Sequence, residues 1–191
     1  MTTPTENPKF SAWKFFLPIL VILFLVVTAL FLIKNQVHTH HNGTSREEVR
    51  SGGEIPDFTL IKFKGSEVHF SEMKEKVFLI NFWATWCEAC MVEMPSIVKL
   101  RNQYHEQGFE VISINVDENP ESVLPKTIQE YGISFPIYQD PSGELAELFE
   151  VHAIPLSVII DRKRKVLMIE PGERNWYGED VKKLLERWLV Q

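Results

Sequence analysis

The sequence predicts an α/β domain built on a mixed sheet, preceded by an apolar amino-terminal segment. Three observations carry that prediction. A near-continuous apolar run, residues 77–83, leads into a segment whose Met91, Met94, Ile97 and Val98 recur with helical spacing. Residues 109–116 read as the next strand and follow that helix directly. A strand–helix–strand succession of this kind lays its two strands parallel through a right-handed crossover. Two later runs, residues 156–161 and 165–170, flank the basic turn Arg162, Lys163, Arg164 and read as a hairpin, which makes the sheet mixed.

The remaining elements follow in order. Ile55, Pro56, Asp57 and Phe58 open the domain. Residues 58–61 and 67–70 read as short strands around a turn at Lys64, Gly65 and Ser66. Residues 77–82 are apolar throughout most of their length, as expected of a central strand covered on both faces. The helix after them should run to about Gln107, with Gly108 as its closing residue. Asn119 and Pro120 start another helix, Pro120 taking the favoured first position. Pro125 is expected to kink it and Gly132 to end it. Residues 135–139 read as a short strand, residues 140–143 as a turn and residues 144–149 as a short helix. The last helix, residues 178–190, has Val181, Leu184, Leu185, Trp188 and Leu189 on one face.

Residues 15–33 are apolar except for Pro18 and Thr28, and Lys14 and Lys34 bracket them. As a helix they would span about 28 Å, close to the thickness of a bilayer core. The run exceeds the ~7–15 apolar residues of a signal peptide, and no small-x-small cleavage site follows. The expectation is an uncleaved anchor at 15–33, a short cytoplasmic tail at 1–14, a flexible tether at 34–54 and a folded domain at 55–191. Charge says little about orientation, with Lys9 and Lys14 before the span and Lys34, Arg46 and Arg50 after it. The short polar tail suits the inside, which would put the folded domain on the outer side. His38, His40 and His41 cluster in the tether, and a solvated linker is preferred there to a metal-loading arm. The chain has 191 residues, 45% apolar and 24% charged, with net charge −6. The acidic excess lies in residues 55–191, which excludes the basic face that nucleic acid requires.

Cys87 and Cys90, the only cysteines, lie at the junction of the central strand and its helix. Residues three apart on a helix are neighbours, so the sulfurs can bond to each other. Unpaired N–H groups and the helix dipole at that end stabilise a thiolate. A free cysteine titrates near ~8.5, and this placement lowers the value. A purely structural disulfide is disfavoured because so short a loop constrains little of the unfolded chain. A zinc site needs four ligands and finds no second pair. Haem attachment needs His after the second Cys, where Met91 stands. A peroxidase would need a further cysteine outside the pair. Cys87 is the expected nucleophile and Cys90 the resolving thiol. Trp86 is expected to cover the pair and offer an apolar contact, with a plain core tryptophan as the alternative. Glu93, three residues after Cys90, is expected beside it, with a raised pKa that suits proton transfer. A solvated first-turn glutamate is the alternative. Pro95 is expected to kink the helix.

Residues 81–95, NFWATWCEACMVEMP, resemble the active-site segment of thioredoxin-fold proteins of the TlpA/ResA type. Trp86, both cysteines, Glu93 and Pro95 match together, and the resemblance runs from about Ile55 to the C-terminus. It implies a thioredoxin-like fold with a mixed central sheet flanked by helices. It also implies an opening hairpin, a central insertion within residues 117–139, and one transmembrane helix ahead of the domain. It implies a membrane-anchored thiol–disulfide oxidoreductase of the bacterial cytoplasmic membrane, with its domain on the outer side and no cofactor beyond the redox-active disulfide. The implied partners are disulfides of envelope proteins, apocytochrome c among them, and a membrane dithiol donor. The resemblance further implies that Pro155 is cis and faces the cysteines, with the Ile154 backbone available to pair with an extended substrate. Two positions depart from the family: Ala89 stands where proline is common, and Leu156 follows Pro155 where threonine is common. The direction of electron flow is therefore open on sequence grounds, and the family analogy alone favours reduction. His152, close to Pro155, supplies the main alternative, a copper-binding chaperone using the two thiols. The known copper-binding relatives space their cysteines three apart rather than two.

Overall fold

The structure, a computed structural model, describes residues 51–190 together with Phe24, Val26 and Thr28. The chain divides into two units, Met1–Arg46 and Glu47–Gln191. In the first, the three described residues are helical, and the Thr28 hydroxyl donates to the Phe24 carbonyl at 2.9 Å. The tail, the expected anchor as a whole and most of the tether lie outside the described residues. Among the described residues no helix is long and apolar enough to cross a membrane.

In chain order the second unit contains strands β1 (Thr59–Lys62), β2 (Glu67–His69) and β3 (Val77–Trp83), then helix α1 (Glu88–Tyr104) and β4 (Phe109–Asn115). There follow α2 (Pro120–Tyr131), β5 (Ile137–Gln139), α3 (Glu144–Leu148), β6 (Leu156–Asp161), β7 (Val166–Pro171) and α4 (Glu179–Leu189). One sheet takes all the strands in the order β2-β1-β5-β4-β3-β6-β7. β3 runs parallel to β4, and β4 to β5; the other pairings are antiparallel. The sheet is mixed, as expected. The segment after β4 inserts α2 and β5, and β5 receives the β1–β2 hairpin on its far side.

Side-chain alternation explains why every residue of β3 is buried. Val77, Leu79 and Trp83 face one core with Met94, Ile97 and Leu100 of α1 and Val181 and Leu185 of α4. Phe78, Ile80 and Phe82 face the other with Phe58, Phe70, Leu145 and Phe149. Burying a side chain such as Leu185 contributes about 1.5–3 kcal/mol. The α1 side also carries a polar row. Asn81 is in register with Ser113 of β4 and Ser157 of β6, and all three are buried.

Element boundaries follow local chemistry. α1 continues through Pro95, ends in a single 3-10 turn at His105–Gln107, and stops at Gly108 with φ 99°. α2 also continues through Pro125 and ends at Gly132. The strand expected over residues 135–139 shortens to Ile137–Gln139, because Pro136 has no N–H to give a ladder. At the other end of the sheet from Cys87, the incoming chain pairs with the start of β7. Gly52 N–H donates to the Val166 carbonyl (2.7 Å), Val166 N–H to Gly53 (2.8 Å) and Ile55 N–H to Arg164 (3.0 Å).

Candidate active site

The loop between β3 and α1 is fixed from below. Asp117 accepts from the Thr85 amide and hydroxyl, both at 2.9 Å, and from Asn115 Nδ2 at 2.7 Å. Cys87 N–H donates to the Ala84 carbonyl at 3.2 Å. The chain therefore arrives at the helix with Cys87 as the N-cap residue, its backbone extended. The Cys87 sulfur accepts the Cys90 amide at 3.2 Å, the bond that a serine or aspartate cap would ordinarily accept. Cys87 and Cys90 are joined by a disulfide with S–S 2.07 Å. Cys90 is fully buried and Cys87 nearly so, while Trp86 beside them is 70% exposed. Trp86 is thus not a core tryptophan; it presents an apolar surface next to the pair.

Glu93, one turn beyond Cys90, is 2% exposed, so the solvated alternative does not hold. Its Oε1 accepts from Asn81 Nδ2 at 2.9 Å. Its Oε2 accepts from Trp176 Nε1 at 3.0 Å and from the Arg174 amide at 3.2 Å. Burial pushes the carboxyl above the ordinary glutamate range. The bonds from Trp176, Arg174 and Asn81 oppose that rise, and the nearby Glu173 carboxylate adds to it. Asn81 also donates to Ser157 Oγ at 2.9 Å, while its own Oδ1 is buried without a partner. Trp83 Nε1 donates to Ser113 Oγ at 2.7 Å, completing the polar row under the N-terminal half of α1.

The loop before β6 reaches the same end of the sheet. The Ile154–Pro155 bond is cis. Pro155 is buried, and half-buried Ile154 packs against the cluster that contains both cysteines. His152 is exposed. Among the described residues no group of three or more His, Cys, Asp or Glu is placed to hold a metal ion. The histidines of the tether lie outside the described residues. The structure thus gathers Cys87, Cys90, Glu93, Trp86, Ile154 and Pro155 at one end of the sheet. Sequence reasoning missed Asn81, Ser157, Arg174 and Trp176. Asn81 and Ser157 gave a signal, each as a polar residue inside an apolar strand. Nothing local marked Trp176.

A thioredoxin-like sheet with a Cys-x-x-Cys disulfide capping the helix after its central strand defines a thiol–disulfide oxidoreductase. The comparisons agree. A profile of the AhpC/TSA family matches residues 51–169. The thiol-disulfide oxidoreductase ResA of Bacillus thuringiensis subsp. konkukian (strain 97-27) is 32% identical over 170 residues, covering 88% of this chain and 94% of the relative. That of Geobacillus kaustophilus (strain HTA426) is 34% identical over 143 residues, or 75% of this chain and 80% of the relative. A candidate thiol:disulfide interchange protein DsbE from Chlorobium tepidum superposes with TM-score 0.66 at 29% identity, covering 74% of this chain and 99% of that one. The chain belongs to the AhpC/TSA family and, within it, to the ResA-like thiol–disulfide oxidoreductases.

Proposed function

We propose that this chain is a membrane-tethered reductant of disulfides in cell-envelope proteins, apocytochrome c among its substrates. The apolar run at 15–33 anchors it in the cytoplasmic membrane, and the domain works on the outer side. The observation that carries the chemistry is the Cys87 sulfur seated at the N-terminus of α1 on the Cys90 amide. The same N–H and helix dipole favour a thiolate at Cys87 once the disulfide is reduced.

The reaction balances as a two-electron exchange. The Cys87 thiolate attacks a substrate disulfide, forming a mixed disulfide and expelling one substrate thiolate. Cys90 passes its proton to Glu93 and attacks the Cys87 sulfur. The Cys87–Cys90 disulfide forms, and the second substrate thiolate leaves. Both substrate thiolates take up protons, one of them the proton held by Glu93. A membrane dithiol donor returns two electrons to the pair. Glu93 suits the proton step because buried Cys90 has no direct access to water and the Glu93 carboxyl titrates above its ordinary range. Trp86 and the Ile154 backbone offer the apolar and strand-like contacts for an extended substrate.

Equilibration of the full-length protein with glutathione buffers tests the direction. A pair more reducing than the glutathione couple is expected. A potential near about −120 mV, that of a strong oxidant, would reverse the direction. High-affinity copper binding with little thiol exchange would replace the reading by a copper chaperone.

A further inference from the structure

The two oxygens of Glu93 are not equivalent. Oε2 accepts from two donors, the Trp176 indole at 3.0 Å and the Arg174 amide at 3.2 Å. Oε1 accepts from Asn81 Nδ2 at 2.9 Å. Each carboxylate oxygen has two in-plane lone pairs. Two donors fill those of Oε2, so a proton has room on Oε1. Both Oε2 donors come from the stretch after β7, to which the sequence assigned no role.

We propose that Trp176 is a positioning residue for Glu93: its indole N–H, together with the Arg174 amide, holds Oε2 as a permanent acceptor and leaves Oε1 as the atom that takes and releases the proton. The inference rests on the reading of Glu93 as the proton carrier.

The surroundings support the assignment. Trp176 is fully buried in the cluster that contains Cys87 and Cys90. A buried indole must find an acceptor and a buried carboxylate must find donors, so each answers the other's requirement. Phenylalanine could fill much of the space but supplies no N–H. The loop is stapled in place. Trp176 N–H donates to Ser96 Oγ at 2.9 Å, and the Ser96 hydroxyl donates to the Glu93 carbonyl at 2.7 Å. The Arg174 guanidinium pairs with Glu170 of β7 and Asp180 of α4, 5.8 Å from the Trp176 ring centroid. Gly172 N–H, at the start of the same loop, donates to the Pro155 carbonyl at 2.9 Å. One short segment therefore touches both the proton carrier and the cis-proline loop.

The charged groups facing Glu93 are Glu173 and Arg174 on the loop, and Cys90 lies one turn earlier on its own helix. Lys99 and Tyr177 line a groove of about 390 Å³ that Glu93 also borders. Asn81 and Ser157 contribute only neutral groups from the sheet. Arg174 is engaged by its two carboxylates, and Glu173 opposes the Glu93 anion.

The test follows the Glu93 side-chain carbon by NMR in the full-length reduced protein, wild type and Trp176→Phe, alongside the low-pH limb of the disulfide-exchange rate. Losing a charge-assisted hydrogen bond should raise the Glu93 midpoint by about one pH unit or more, and the limb should move with it. Leu185→Ala, a packing change in the same cluster, should move neither. The wild-type Trp176 indole N–H resonance should itself titrate with the Glu93 midpoint and stop titrating in Glu93→Gln. That measurement needs no altered Trp176 fold. An unmoved Glu93 midpoint in Trp176→Phe would overturn the proposal, as would an equal shift in Leu185→Ala or an indole resonance indifferent to pH. If the Glu93 midpoint moves and the rate limb does not, the positioning role stands and the proton-carrier reading fails.

Discussion

Replacing Glu93 by glutamine should stabilise the oxidised protein at neutral pH and leave it little changed at low pH. The carboxyl is 2% exposed and titrates above its ordinary range because burial disfavours the anion. Below the unfolded carboxyl pKa of about 4.3, folded and unfolded chains both hold the proton and Glu93 adds no pH dependence. As pH rises past that value, the unfolded chain releases the proton while the folded chain keeps it, so stability falls. The fall continues until the folded pKa is passed, and the penalty is then constant. It amounts to about 1.4 kcal/mol for each unit separating the two pKa values. Glutamine carries no such penalty. Its amide can also be accommodated: with its oxygen toward Trp176 and Arg174, its NH2 meets Asn81. Asn81 can turn its amide to present Oδ1, which has no partner in the wild type. Urea unfolding of the oxidised full-length protein at pH values from 4 to 8 measures the difference. The stability gained on substitution should grow through the window above about pH 4.3 and then level off. A gain that is flat across the range, or that shrinks as pH rises, would refute the reasoning.

Three further outcomes are expected. Cys90→Ala should accumulate mixed disulfides with substrates through Cys87, and Cys87→Ala few; gel-shift trapping with the opposite pattern would exchange the two roles. Asp117→Ala leaves the Thr85 amide and hydroxyl without their acceptor and should cost about 1–3 kcal/mol. It should also speed hydrogen exchange at Thr85, and unchanged Thr85 protection would show that the loop is held by other means. Leu185→Ala should cost about 2–5 kcal/mol by emptying a fully buried site, measured by denaturant midpoint, and a loss below about 1 kcal/mol would mean the site collapses around the gap.

What the sequence made legible was local. The strand-to-helix junction at Cys87 follows from an apolar run meeting a helical period, both confined to a few adjacent residues. Helical phase placed Glu93 on the face shared with Met94 and Ile97, and that face is buried. The Glu93–Trp176 bond spans 83 positions, and residues 171–177 show neither strand nor helix periodicity, so nothing announced it. Likewise Asn81 and Ser157 each look like a polar interruption of an apolar strand, and Ser113 like one of several polar residues in its strand. Only the register of three strands makes them one row. The position of β1 beside β5 is also a matter of long-range pairing, on which alternation within each strand is silent.

The place where the chain enters the domain separates two properties that could have been entangled. Gly52, Gly53 and Ile55 are bonded to the start of β7, at the end of the sheet where β3 begins, and the cysteines follow the end where β3 finishes. A seven-residue strand covers about 20 Å, so a full sheet length lies between the chain's entry and the cysteines. Lengthening, shortening or straining the polypeptide ahead of Ser51 therefore acts at a margin remote from the sulfurs. On the proposed reading of residues 34–54 as a tether, its length can change the reach of the domain without retuning the redox couple. Substitutions around Glu93, at the opposite end of the sheet, leave that entry point as it is.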